Sequence, residues 1–124
     1  MTKTFLQIGS LFALLAVVLG AFGAHGLEAQ LSPERLDTFE TGVRYHFYHS
    51  FALLATALIG QHFSHKLIRT AGWLFAVGIL LFSGSIYLLA CRAILGIESW
   101  TWLGPITPIG GTFFIVGWAL LLVG

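Results

Sequence analysis

Four long stretches without Asp, Glu, Lys or Arg constrain this chain more than any other feature of its sequence. They cover residues 4–27, 45–65, 70–91 and 99–124. Each is long enough for a helix that crosses the roughly 30 Å hydrocarbon core of a membrane, which takes about 20 mostly apolar residues. Only 9% of the residues are charged and the mean hydropathy is +0.91, so little polar surface is available to cover a water-soluble domain. The sequence therefore predicts a multi-pass membrane protein.

The charge-free stretches predict an all-α fold, a four-transmembrane-helix antiparallel bundle that forms one integral membrane domain over residues 1–124. The predicted spans are 4–24, 45–61, 70–91 and 106–124. A cleavable signal peptide is a competing interpretation of the first span. Its apolar run is longer than the roughly 7–15 residues typical of such peptides, so we expect the span to be retained.

The segment between the first two spans holds six of the eleven charged residues. Ser32-Pro33-Glu34 is typical of a helix start, because a hydroxyl cap, a proline and an acid all suit the first helical turn. Apolar residues then recur at helical spacing from Leu36 to Val43. The pattern predicts an amphipathic interfacial helix over 33–44 that continues into span two.

Glycines and prolines give two further expectations. Gly20 in span one and Gly84 in span three are predicted at helix–helix contacts, since small residues allow close approach of helices in lipid. The segment 104–111 holds two prolines and three glycines. This composition predicts a non-helical or kinked start to span four.

Three chain reversals would bring the unusual polar residues to one membrane face, which we call the charged-loop face. The end of span one, the start of span two, the end of span three and the start of span four share it. This predicted polar layer is a candidate ligand or proton site and consists of His25, Tyr45, His46, His49, Ser83, Ser85 and Tyr87.

Two interpretations of the polar layer stay open. In the first, its members form structural hydrogen bonds between helices. In the second, it is a site for a proton or a metal, in which His46 and His49 are weak candidate ligands at neighbouring positions of one helix face. His25, with Asp37 or Glu40, would then complete the metal shell.

Composition and motifs exclude several classes of protein. A net charge of +1 without a run of basic residues gives no surface for nucleic acid. The single cysteine, Cys91, cannot form an internal disulfide. Because the sequence contains no phosphate-binding loop and no activated nucleophile motif, we expect neither a cofactor nor an enzymatic activity. The expected partners are the lipid bilayer and either further copies of the chain or another membrane protein.

The orientation of the spans follows from weaker signals. Lysines and arginines are equally divided between the two faces, with Lys3, Lys66 and Arg69 on one and Arg35, Arg44 and Arg92 on the other. The free N-terminal amine and the tryptophans of the last connection favour an arrangement with both termini in the cytoplasm.

Four ordered motifs carry a resemblance to a known family. They are GAFGAHGL (20–27), YHFYHSFALL (45–54), FSGSIYLL (82–89) and GPITPIGGTFFIVGW (104–118). Together they resemble the domain of unknown function 423, the YgdD/YwdK-like family of small membrane proteins; eukaryotic transmembrane protein 256 looks similar. The resemblance covers nearly the whole chain and implies a multi-pass protein of the bacterial cytoplasmic (inner) membrane. It implies no activity and no site residue.

The expected function is that of a non-enzymatic membrane protein whose His/Tyr/Ser layer at one membrane face serves packing, partner binding or lipid interaction. The alternative is a small transporter, or a ligand- or metal-binding membrane protein, that uses His25, His46 and His49.

Overall fold

The computed structural model describes residues 2–63 and 65–124, which form helices and short connections without a strand. The helices are α1 (Thr2–His25), α2 (Pro33–His62), α3 (Lys66–Gly78), α4 (Gly84–Ala90), α5 (Arg92–Leu95) and α6 (Leu103–Val123). A π-helical turn, Ile79–Ser83, joins α3 to α4 without a break. Ser64, in the basic turn predicted between spans two and three, lies outside the described residues.

Three helical stretches of the described residues are long and apolar enough to cross a membrane: α1, the run Lys66–Ala90 and α6. They coincide with the first, third and fourth predicted spans. Helix α2 is not among the three, although it has 30 residues. Its first three turns carry charges, and the stretch from Tyr45 to His49 adds histidines and tyrosines that lower its hydropathy.

Helix α2 packs along α1 in the antiparallel direction. Near the start of α2, Phe39 covers Gly23 at the end of α1, and a Cβ placed on this glycine would lie 2.7 Å from the ring. Farther along α2, Leu54 covers Gly9 in the first half of α1. Because the contacts advance in opposite directions along the two helices, α2 returns over nearly the full length of α1.

Helix α6 packs against the α3–α4 run in the same antiparallel manner. Phe75 covers Gly117 with 2.7 Å between a Cβ placed on the glycine and the ring. Gly110, on the same side of α6 and nearer its start, lies directly against the backbone of Phe82 in the π-helical turn. Only glycine permits this contact, because a Cβ would collide with the Phe82 backbone nitrogen.

The main core lies where α1, α2, α3 and α6 meet. Phe5 of α1 packs edge-on against Trp73 of α3, with 5.3 Å between ring centroids. Phe75 is fully buried beside Leu53 of α2. A second cluster near the charged-loop face is formed by Leu27, Leu31, Phe39, Val43 and Ala90.

Residues 33–44 form the first turns of α2 and continue without a break into the predicted span two. The helix starts as predicted: Ser32 is the N-cap, its Oγ accepts a hydrogen bond from the Arg35 backbone N–H at 3.3 Å, and Pro33 occupies the first turn. The segment is amphipathic, since Phe39 and Val43 are buried whereas Glu40 is exposed.

Of the two alternatives predicted for the start of span four, non-helical or kinked, the non-helical one is wrong, because α6 is helical from Leu103 onward and contains Pro108. Pro105 lies in the first turn, where a backbone N–H has no helical partner. Pro108 removes only one helical hydrogen bond, and its own carbonyl additionally accepts one from Thr112 Oγ1 at 2.9 Å. Of the three glycines of this segment, Gly110 serves close packing, whereas Gly104 faces open space.

Of the two glycines predicted at helix contacts, one is confirmed. A Cβ on Gly20 would lie 3.3 Å from Val43 Cγ1 of α2. The prediction for Gly84 is wrong, because no atom lies within 4 Å of a Cβ placed there. Gly84 borders an open groove, as described below.

Alanine substitutions at two glycines should have opposite effects on stability. Gly110→Ala forces Phe82 away from α6 and should reduce the free energy of unfolding by about 1–3 kcal/mol. Gly84→Ala meets open space at a helical φ of −59° and should leave stability unchanged or raise it by about 0.4–1 kcal/mol. Unfolding of the detergent-solubilised protein, followed by circular dichroism, measures both. Equal shifts for the two variants would contradict this packing.

Candidate functional site

His49 uses both ring nitrogens, one within α2 and the other to link α2 to α6. Nδ1 lies 2.8 Å from the carbonyl oxygen of Tyr45, one turn earlier in α2. A carbonyl can only accept, so Nδ1 carries the proton and donates it. Nε2 then accepts a hydrogen bond from Trp118 Nε1 of α6 at 3.0 Å. These two bonds fix His49 as the neutral tautomer protonated on Nδ1.

Aromatic rings hold the His49 imidazole in place. The ring lies parallel to that of Phe114, with 3.5 Å between centroids and 8° between planes. Phe75 and Trp118 also pack against it, at centroid distances of 5.7 and 5.9 Å. The side chain is 4% exposed, so its hydrogen bonds are shielded from competing solvent.

His46 lies between α1 and α4. Its Nδ1 is 2.8 Å from the Tyr87 hydroxyl, and Phe12 of α1 meets the ring edge-on at 6.0 Å between centroids. Its Nε2 is buried and has no hydrogen-bond partner among the described residues, although the Phe12 carbonyl approaches the ring. His46 is thus satisfied at one nitrogen only, in contrast to His49.

The two serines tie the π-helical turn and α4 to neighbouring helices. Ser83 Oγ donates to the Gly42 carbonyl of α2 at 2.8 Å. Ser85 Oγ donates to the Phe82 carbonyl at 2.9 Å and also lies 2.5 Å from Thr107 Oγ1 of α6. π-Helical turns inside α-helices frequently occur at functional sites, so this turn supports the choice of the region as a candidate functional site.

The structure brings most of the predicted polar layer together inside the helices. We call the buried polar network the set His46, His49, Ser83, Ser85 and Tyr87 with their hydrogen-bond partners. Tyr45 borders it: the ring is partly exposed and stacks beside His49, with 6.2 Å between centroids.

The structure does not place His25 with the other histidines. It is exposed at the end of α1, thirteen residues after Phe12, which corresponds to about 20 Å along the helix. Asp37 and Glu40 are exposed near the start of α2. Among residues 2–63 and 65–124, no three His, Cys, Asp or Glu side chains converge to hold a metal ion.

The aromatic partners of the two histidines were not predicted from the sequence: Trp118 and Phe114 hold His49, and Phe12 contacts His46. Thr107, which meets Ser85, belongs to the start of span four, which was expected at the same face as the polar layer. One signal was available for Trp118, since an indole N–H inside an apolar span usually needs an acceptor.

Two lateral grooves flank the network. The α2–α6 groove has a volume of about 580 Å³ and is lined by aromatic residues that include Tyr45, Tyr48, His49 and Trp118. The α1 groove, of about 260 Å³, lies between α1 and the run Ile79–Tyr87. Its lining is apolar except at His46 and Tyr87, and Gly84 leaves it open.

These features define a small helical membrane protein in which a polar network is buried between apolar helices. The family described as "Protein of unknown function (DUF423)" matches residues 19–111, and the chain belongs to this family. It is 45% identical to the UPF0382 membrane protein YwdK of Bacillus subtilis over 98% of this chain and 94% of that protein.

Other relatives extend over similar lengths. A UPF0382 membrane protein of Staphylococcus saprophyticus is 46% identical over 98% of this chain and 96% of its own length. One from Haemophilus influenzae is 41% identical over 100% and 94%, respectively. No solved structure gives a significant match.

Removal of the indole donor tests the link between α2 and α6. Trp118→Phe leaves His49 Nε2 buried without a donor and should reduce the free energy of unfolding by about 1–3 kcal/mol. The exposed loop residue Trp102 provides the matched control, and Trp102→Phe should have little effect. The ¹⁵N signal of His49 Nε2 should also shift in the Trp118 variant alone. An unchanged signal would show that the bond does not form.

Proposed function

We propose that this protein is a four-span, non-enzymatic membrane protein whose buried polar network fastens the helices and whose role is to bind lipid or protein partners within the bilayer. The double engagement of His49 carries the proposal. A histidine whose two nitrogens are bonded to the Tyr45 carbonyl and the Trp118 indole has no free lone pair for a metal or a substrate. It is therefore suited to hold α2 against α6.

The proposal that α2 crosses the membrane rests on its surroundings. It runs antiparallel to α1, and its polar side chains His46, His49 and Ser50 are buried by the neighbouring helices. Polar groups inside a bilayer turn toward protein in this way. A helix of 30 residues is about 45 Å long, which exceeds the roughly 30 Å hydrocarbon core. The charged turns of 33–44 would then extend into the headgroup region.

Membrane localisation is supported by the bacterial relatives, whose names describe membrane proteins. We propose the cytoplasmic membrane, with both termini in the cytoplasm. The protein partners that suit this arrangement are further copies of the chain or another membrane protein, since many large apolar side chains of α1 and α6 point outward.

Cysteine labelling tests the number of spans and their orientation. Gln30 and Gln61 are exposed near opposite ends of α2, and each can be replaced by cysteine in a Cys91→Ser background. We expect an impermeant thiol reagent to label the Gln30→Cys variant only from outside the cell and the Gln61→Cys variant only from the cytoplasm. Labelling of both variants from one side would contradict the four-span arrangement. Labelling from opposite but reversed sides would contradict only the orientation.

A second function, binding of a small ligand, is favoured by the α1 groove. His46 and Gly84 line this groove, Gly84 leaves it open, and the π-helical turn forms one wall. The buried Nε2 of His46 has no hydrogen-bond partner among the described residues. A transporter or ligand-binding protein would use such a feature.

Filling the α1 groove separates the two functions. Gly84→Leu adds a side chain in open space and should preserve the stability of the fold. If the groove binds a ligand, Gly84→Leu should remove a small molecule that co-purifies with the unmodified protein, as detected by native mass spectrometry. His46→Gln should weaken the same binding, whereas Ala119→Leu, which enlarges an exposed small residue of α6 outside the groove, should not. Identical small-molecule content in all variants would contradict ligand binding here.

A further inference from the structure

A separate pocket of about 430 Å³ lies at the charged-loop face, away from the buried polar network. Two arginines from different helices line it: Arg35 from the first turn of α2 and Arg92 from the start of α5. The connection between α5 and α6 contributes Glu98, Trp100 and Thr101. Residues distant in sequence thus place two arginines at one cavity.

Arg35 lacks an acceptor where it needs one. Its Nη1 is buried and has no hydrogen-bond partner among the described residues. A buried donor without a partner is costly, more so when it carries charge, and native proteins leave few such groups. Because Nη1 has no accessible surface, the pocket meets Arg35 through the rest of its side chain. There the planar fork of a guanidinium matches the oxygens of a phosphate.

The N-terminus of α6 adds a neutral donor to the same pocket. Gly104 lines it and leaves its backbone accessible, with no atom within 4 Å of a Cβ placed there. The preceding N–H, of Leu103, is already bonded to the Trp100 carbonyl, whereas that of Gly104 is among the first-turn groups without a helical partner. Phosphate groups bind readily at such positions, because the helix dipole favours negative charge.

Tryptophans place the pocket at the depth of lipid headgroups. Trp100 lines the pocket and stacks on Trp102, with 5.4 Å between ring centroids and 25° between planes. Tryptophan is enriched where the hydrocarbon core meets the headgroups. Leu89 supplies an apolar wall on the side of α4. This step rests on the four-span arrangement proposed above.

We propose that this pocket binds the headgroup of an anionic phospholipid of the phosphatidylglycerol type. Arg35 and Arg92 hold the phosphodiester, and the carboxylate of Glu98 accepts hydrogen bonds from the glycerol hydroxyls. The charges agree, since two arginines and one glutamate give the pocket a net charge of +1 and the phosphodiester carries −1. A phosphatidylcholine headgroup has no net charge and no donor for Glu98.

Native mass spectrometry of the full chain in mild detergent tests the assignment, with phosphatidylglycerol, phosphatidylcholine and water-soluble glycerol phosphate as separate probes. Arg35→Gln and Arg92→Gln should each weaken phosphatidylglycerol binding by about tenfold or more, because each removes a charge-assisted hydrogen bond. Arg44→Gln is the matched control. Arg44 is exposed on the same helix, and its Nη2 bonds to Thr41 Oγ1 at 3.0 Å.

The outcomes separate cleanly. Equal weakening by all three arginine substitutions, or equal binding of phosphatidylcholine and phosphatidylglycerol, would overturn the site. Binding of glycerol phosphate as tightly as phosphatidylglycerol would make it a site for soluble anions and overturn the lipid assignment. Thermal unfolding checks each variant, and Arg92→Gln decides alone if Arg35→Gln does not fold. Thiol labelling of the Gln30→Cys and Gln61→Cys variants tests the span arrangement independently of this binding measurement.

Discussion

The structure depends on the need to bury the polar side chains of α2. This helix contains His46, His49 and Ser50, which are buried, whereas the chain is apolar over most of its length. Buried polar groups need hydrogen-bond partners, so the neighbouring helices that cover these side chains must also leave them satisfied. Helix α1 covers His46 through Phe12, and α6 covers His49 through Phe114 and Trp118. The central position of α2 follows from this requirement.

Close approach between helices makes that coverage possible. In lipid there is little hydrophobic drive to bring helices together, so packing and hydrogen bonding must do it. Glycines admit aromatic rings on both sides of the bundle, as at Gly23 beneath Phe39 and Gly117 beneath Phe75. The Gly110 contact with the Phe82 backbone brings α6 near enough for Thr107 to reach Ser85. Small residues and polar residues therefore act together. The small residues allow the short distance between helices that the hydrogen bonds of the polar residues require.

The polar residues separate into two groups with different chemistry. The inner group is neutral and largely saturated, with His49 as its clearest member, and this suits a role in holding helices. The outer group, around Arg35 and Arg92, is charged and lines an open pocket. His46 belongs to the inner group but is only partly hydrogen-bonded: Nδ1 is bonded to Tyr87, and Nε2 has no partner among the described residues. Binding to membrane components, at the pocket or in the α1 groove, is the activity consistent with both groups.

The sequence by itself determined the helices, because charge distribution, hydropathy and local caps act within one segment. The three apolar stretches and the start of α2 at Ser32 were predicted in this way, and the contact at Gly20 was predicted from the small size of the residue.

Tertiary structure decided how far along a neighbouring helix each side chain lies and which helix it faces. The register of α2 against α1 places His46 opposite Phe12 in the interior, while His25 stays at the end of α1. Likewise, the prolines of 104–111 indicated a break, yet packing of Gly110 on Phe82 accompanies a continuous helix. A sequence specifies which residues share a helix, but the partner helices fix which residues meet, because that depends on contacts between segments far apart in the chain.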